Sequence, residues 1–380
     1  MRTKYVIIIL LIAIFGDLSG QNRVRDFGIE VGVLRTGPKN SITDVGGVAV
    51  GHRTIIVGDS IRTGVTAILP HQDNIFQNKV PAAIYLGNGF GKLAGISQVM
   101  ELGNIESPII LTNTLSVATG IQGGLSYILE LPGNENVRSA NIVVGETNDG
   151  RLNDIRGRHV KEADVLMAIE QADTSQVKEG NIGAGTGTIC FGWKGGIGSS
   201  SRRLPVSMGG YSVGVLVQSN FGGVLSIDGV PVGKEMGKYP YRTQIEQDSD
   251  GSCMIVVATD APVSPRNLER MAKRAMLGLA RTGGIASNGS GDYVIAFSTF
   301  KENRIPYQLK QPVSDVSDLH NDRMTPLFLA TIEATEEAIL NSLFAAEEMV
   351  GYQGSKVNQL PIIDVLKLMK KYGKNVSIFD

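Results

Sequence analysis

Only two cysteines, Cys190 and Cys253, occur in the 380-residue sequence, together with four histidines. His52, His71, His159 and His320 are scattered, with no H-E-x-x-H and no C-x-x-C pair. Such a chain offers no ligand cluster for zinc or iron, and the sequence implies no metal and no other cofactor. Nothing indicates that the two cysteines pair, so they read as buried free thiols. There is no G-x-S-x-G elbow, and a Ser-His-Asp triad would have to recruit a distant histidine. Net charge is nearly absent too: 36 basic against 37 acidic side chains leave −1. That balance gives no reason to expect a nucleic-acid or membrane-surface partner. The glycine-rich stretch Asn181–Thr188 lacks both dinucleotide spacing and a P-loop lysine, and it follows a helical pattern rather than a strand. It reads as a packing or substrate-lining loop.

Long apolar runs are also missing. The longest, Val6–Phe15, is too short to span a bilayer comfortably. Arg2 and Lys4 precede it and small residues follow, the pattern of a secretory leader cut after Gly20. Residues 1–20 are thus expected to be a signal peptide, and residues 21–380 a single exported, periplasmic catalytic domain that keeps no membrane attachment. A hydrophobic content of 42% over this length is enough for a large core. Strands are expected at Ala82–Leu86, Pro108–Thr112, Asn141–Gly145 and Ser212–Gln218. Helices are expected from Ser264 and Pro265 to Gly283, from Thr325 and Pro326 to Gly351, and from Pro361 to Gly373. Mixed in this order, they imply an α/β protein with sheets covered by helices. The polar segment Gly233–Gly251 looks like a domain linker and is long enough to ask for a functional reason.

That segment ends in Gly251-Ser252, directly before the apolar run Cys253–Thr259. A Gly-Ser pair there is commonly a turn. With histidine, metal and phosphate chemistry weak, a second reading gains weight. The Ser252 hydroxyl can attack the Gly251 carbonyl, and water can release a new N-terminal serine. Its α-amine, with an ordinary pKa of about 7.7–8.0, is then a base beside its own hydroxyl.

Several stretches carry a resemblance: "KVPAAIYLGNGFGKLAGISQVMELGNIESPIILTNTLSV", "IVVGETNDGRLNDI", "WKGGIGSSSR", "GVLVQSNFGG", "GSCMIVVATDAP" and "GLARTGGIASNGSGDYVIAFST". Together they resemble the L-aminopeptidase D-esterase/D-amidase and β-peptidyl aminopeptidase family, in the family's order and over nearly the whole mature chain. The resemblance implies a four-layer α/β/β/α sandwich like that of N-terminal-nucleophile hydrolases, with different connectivity. It implies self-cleavage between Gly251 and Ser252 into an α chain (21–251) and a β chain (252–380), and homo-oligomers of such αβ heterodimers. It implies release of N-terminal L-, D- or β-amino acids from short peptides, amides and esters that carry a free amino terminus. An acyltransferase of the same nucleophile type, passing the acyl group to an amine, is the alternative, and a silent peptide-binding homologue is a third.

Residue by residue, Ser252 matches the nucleophile, and Ser290 and Asp292 match a second hydroxyl and a carboxylate. Residues two apart in an extended segment share a face, so Ser290 is expected to reach the Ser252 hydroxyl or amine while Asp292 offsets its charge. The family often has Glu at the Asp292 position. Asn220 matches an oxyanion donor, and Glu146 the group that receives the substrate ammonium. Asn148 stands where some members carry tyrosine. Plainer readings exist for each: Asn220 as a turn cap, Glu146 and Asp149 as loop carboxylates in water, Asp292 as a turn residue. Cys253, inside the strand, reads as packing.

Overall fold

In the computed structural model the described residues are 22–240, 251–309 and 311–378, so the leader and residues 241–250 lie outside them. Among the described residues two sheets, of five and seven strands, face each other. The first contains β1 (Ala49–Val57), β2 (Ile61–Leu69), β4 (Leu93–Ala94), β5 (Ile109–Asn113) and β6 (Val143–Thr147). Its order is β1-β2-β5-β6-β4. The second contains β3 (Asn78–Gly89), β7 (Ile197–Arg203), β8 (Ser212–Asn220), β9 (Ser252–Thr259) and β10 (Gly291–Ser298). Its order is β7-β8-β9-β10-β3, extended at the β3 edge by short strands.

Side chains alternate across β9 and feed two different cores. Cys253, Ile255 and Val257 face α3 (Pro265–Arg281) and α4 (Thr325–Phe344), whereas Met254, Val256 and Ala258 face the other sheet. Because both faces are buried, the sequence of β9 reads as a continuous apolar run. On the far side of the first sheet lie α1 (Val117–Glu130) and α2 (Glu162–Glu170), packed on β5–β6 and β1–β2 respectively. Helices outside two facing sheets give the α/β/β/α sandwich that the resemblance implies. Each sheet holds one parallel pair, β5–β6 and β9–β10, joined through an outer helix.

Two expectations need correction. The 233–251 segment does not separate domains: β8 and β9 on either side are antiparallel neighbours, from Asn220↔Ser252 to Val213↔Thr259. And α4 stops at Phe344 instead of running towards Gly351. Beyond that end Asn181 ties down the chain: its amide donates to the Glu347 carbonyl at 2.8 Å and accepts the Glu347 N–H at 3.2 Å.

Candidate active site

Sheet registry assembles most of the site. Ser252 is the first residue of the central strand β9, with Asn220 opposite it on β8 and Gly291 opposite it on β10. All three side-chain-bearing positions here, Ser252, Asn220 and the adjacent Asp292, are buried. Ser290 donates to Asp292 Oδ1 at 2.8 Å, so the pair two residues apart does share a face. The Ser252 hydroxyl oxygen accepts the Gly291 N–H at 3.3 Å, in place of the expected bond with Ser290. The same N–H donates to the Gly251 carbonyl at 3.1 Å. One backbone donor thus reaches both the hydroxyl and the neighbouring carbonyl.

Burial pushes the Asp292 carboxyl up to about 6, against the Ser290 hydroxyl and the Cys253 N–H, which favour its ionised form. Its Oδ2 is buried and has no hydrogen-bond partner among the described residues. A buried acceptor left open in this way is uncommon and calls for a cause. The Cys253 side chain has no part in this polar set: it points into the helix-side core, and burial raises its thiol well above the usual range. Both cysteines are free and buried.

Asn220 is oriented by a second loop. Its Oδ1 accepts the Ile189 N–H at 2.9 Å, which leaves its NH2 as the remaining donor. The loop is pinned in turn by Lys194, a fully buried lysine that the sequence reading passed over. Its Nζ donates to Gly185 O at 3.0 Å and Gly195 O at 2.7 Å, and burial lowers it to about 7. The clue was one charge inside the glycine-rich apolar run 190–198. Gly251 also proves to be fixed by space: a Cβ there would lie 2.6 Å from Phe221 Cα. The close approach of the β8 end leaves room for glycine alone.

Glu146 enters from the other sheet, near the end of β6. Its Oε1 accepts the Lys92 N–H at 2.9 Å, and its Oε2 accepts the Thr114 hydroxyl. Gly91 links the two halves: a Cβ there would meet Gly291 Cα at 3.1 Å and Glu146 Oε1 at 3.3 Å. Only 2% of Glu146 and of Asp149 is exposed, so neither is a loop carboxylate in water. Burial raises Asp149 to about 7, although Thr63, Asn153 and Asn113 act to lower it. Asn148 is exposed and its Oδ1 caps the Gly150 N–H, a local turn contact. No cluster of three His, Cys, Asp or Glu side chains suited to a metal ion occurs among the described residues.

Comparison with known proteins identifies the family. The model of peptidase family S58 matches residues 40–357. The β-peptidyl aminopeptidase BapA of Sphingosinicella microcystinivorans is 39% identical over 97% of both chains. Among solved structures, the PH0078 protein from Pyrococcus horikoshii OT3 superposes with a TM-score of 0.87 at 47% identity, covering 93% of this chain and 100% of that one. The L-aminopeptidase D-Ala-esterase/amidase of Ochrobactrum anthropi, described as a prototype serine aminopeptidase with a new variant of the Ntn hydrolase fold, gives 0.85 at 36%, covering 92% and 99%. With the family's sequence pattern across most of its length and this fold, the chain belongs to peptidase family S58 and is a hydrolase of the aminopeptidase kind.

Proposed function

We propose that the chain is an exported, self-processing serine aminopeptidase that releases N-terminal residues from short peptides, amides and esters with a free amino terminus. The observation that carries the self-processing step is the shared Gly291 N–H. It lies 3.1 Å from the oxygen of the Gly251 carbonyl, where negative charge would develop, and 3.3 Å from the Ser252 Oγ that would attack the carbonyl carbon. In that step the Ser252 C–O bond to Gly251 forms as the C–N bond breaks. Water then hydrolyses the ester, leaving a Gly251 carboxylate and a free Ser252 amine.

The product amine supplies what the site lacks. As a base it takes the Ser252 hydroxyl proton while Oγ attacks the substrate carbonyl. As a cation it offsets the open Asp292 Oδ2, which is why that oxygen is unmatched while the bond to Gly251 is whole. The Asn220 NH2 is the donor assigned to the substrate oxyanion. Glu146, held by a backbone N–H and the Thr114 hydroxyl, is assigned to the substrate ammonium, because a charged amine entering a partly dry site needs a partner. Cleavage yields an α chain (21–251) and a β chain (252–380), and their assembly into a homo-oligomer belongs to the same proposal, as does removal of the leader by export.

Electrophoresis with N-terminal sequencing tests the scheme on protein from an exporting host. The parent should give two bands beginning at Gln21 and Ser252. Ser252→Ala should give one uncut chain with activity lower by about 10⁴-fold or more. An uncut parent with full activity would overturn the mechanism.

A further inference from the structure

The carboxylate assigned to the substrate amine already has a cation beside it. Lys92 Nζ lies 4.0 Å from Glu146 Oε1, with the Lys92 side chain 59% exposed and the Glu146 side chain 2% exposed. We propose that Lys92 is a built-in competitor for the substrate ammonium, one that sets how tightly free-amine substrates bind. This rests on the assignment of Glu146 above.

Three features support it. At 4.0 Å the ammonium is beyond hydrogen-bond distance, so it balances charge without a bond to hold it. The carboxylate is anchored by other groups, the Lys92 N–H and the Thr114 hydroxyl. Its position therefore does not depend on the Lys92 side chain. The Lys92 stem is more than half exposed and can swing into water, as long cationic side chains do.

A nearly buried carboxylate with nothing opposite it is costly, and Lys92 relieves that cost while the site is empty. An incoming substrate ammonium offers the same charge at closer range. The two cations cannot share one carboxylate without repulsion, so binding is an exchange in which Lys92 leaves as the substrate amine arrives. Chemistry at Ser252 is untouched by the exchange, so the effect falls on KM.

The test uses the cleaved enzyme with L-alanyl, D-alanyl and β-alanyl p-nitroanilides, taking those the parent hydrolyses. Lys92→Met should lower KM by roughly two- to five-fold, the range of a half-exposed ion pair, with kcat held within about two-fold. Inhibition by ethylammonium should tighten by a similar factor. Lys92→Arg, which keeps the charge, should resemble the parent, and Lys92→Gln should reproduce Lys92→Met. An unchanged or raised KM in both neutral variants would overturn the proposal. Failure of the underlying assignment is seen separately. If the parent hydrolyses N-acetylalanyl p-nitroanilide as well as the free-amine compound, Glu146 is not the amine receptor, whatever the Lys92 variants do.

Discussion

At one end of the second sheet, Arg202 lies fully buried between two carboxylates, 3.1 Å from Glu333 and 2.7 Å from Glu337. Arg25 adds a second guanidinium on Glu337 at 2.8 Å, and Arg23 pairs with Glu179 at 2.7 Å. At the other end of the same sheet, on β10, Asp292 is also buried, yet Oδ2 has no partner among the described residues. The contrast shows in the carboxyl groups. Burial acts to raise Glu337, but Arg202, Arg25 and Asn40 outweigh it and hold it below its ordinary range. Burial raises Asp292 to about 6 with no cation to oppose it. Matched charges inside a protein serve the fold, whereas an unmatched one marks a place kept for something that arrives later. Asp292 is such a place, and the released Ser252 amine is what we assign to it.

The largest effect should come from breaking the matched end. Arg202→Met strands Glu333 and part of Glu337, and loss of one partner from a buried ion network costs about 3–5 kcal/mol. Thermal or denaturant unfolding of the variant should show that loss. A change under 1 kcal/mol would mean that the network does not hold β7 to α4.

The next sharpens the unmatched end. Asn220→Asp keeps the acceptor for the Ile189 N–H and replaces the NH2 donor with an anion. Self-cleavage, which we assign to Gly291, should proceed, while kcat should fall about 10²–10³-fold. Equal loss of both steps would mean that one donor serves both.

The smallest is a pH effect on Asp292, read in the uncut Ser252→Ala background. Its carboxyl is near 6 when folded and ionises more readily when unfolded, with an ordinary value of 3.8. The unfolded state therefore loses its proton first, and folding weakens as pH rises from about 4 through 6, then levels off. Asp292→Asn removes that component, worth up to about 3 kcal/mol. The variant should gain on its background between pH 4 and pH 7 by guanidinium unfolding. Parallel stability curves for the two would place Asp292 beside an unseen cation.

Much of this was legible in the residues, and the exceptions share a cause. The expected strands at Ala82–Leu86 and Ser212–Gln218 lie within β3 and β8, because two buried faces leave plain β-branched runs. By contrast β7, with the sequence Ile-Gly-Ser-Ser-Ser-Arg-Arg, carries no apolar signal, although all but its last residue is buried. Its polar side chains are satisfied by Asn40, Asp44, Glu333 and Glu337, from distant parts of the chain. No local pattern encodes that. The same holds at the candidate site. The family motifs single out Ser252, Asn220, Asp292 and Glu146; the structure sets Asn220 opposite Ser252, Asp292 one residue past Gly291 on the next strand, and Glu146 on the facing sheet. Gly291, Thr114 and Lys194 lie inside the quoted stretches, but their contributions, a backbone N–H and contacts to distant parts of the chain, cannot be read from residue type.

The position of β9 in the middle of its sheet has a mechanical consequence. It is hydrogen-bonded along its whole length to β8 on one side and β10 on the other. A break at its first residue would free a chain end without freeing a strand. The two pieces would hold each other as inseparably as parts of one polypeptide, since pulling them apart means tearing a central strand out of both cores. The new amine would stay at the head of the strand, opposite Asn220 and Gly291. The cut would change the covalent chain and leave the strand order as it was.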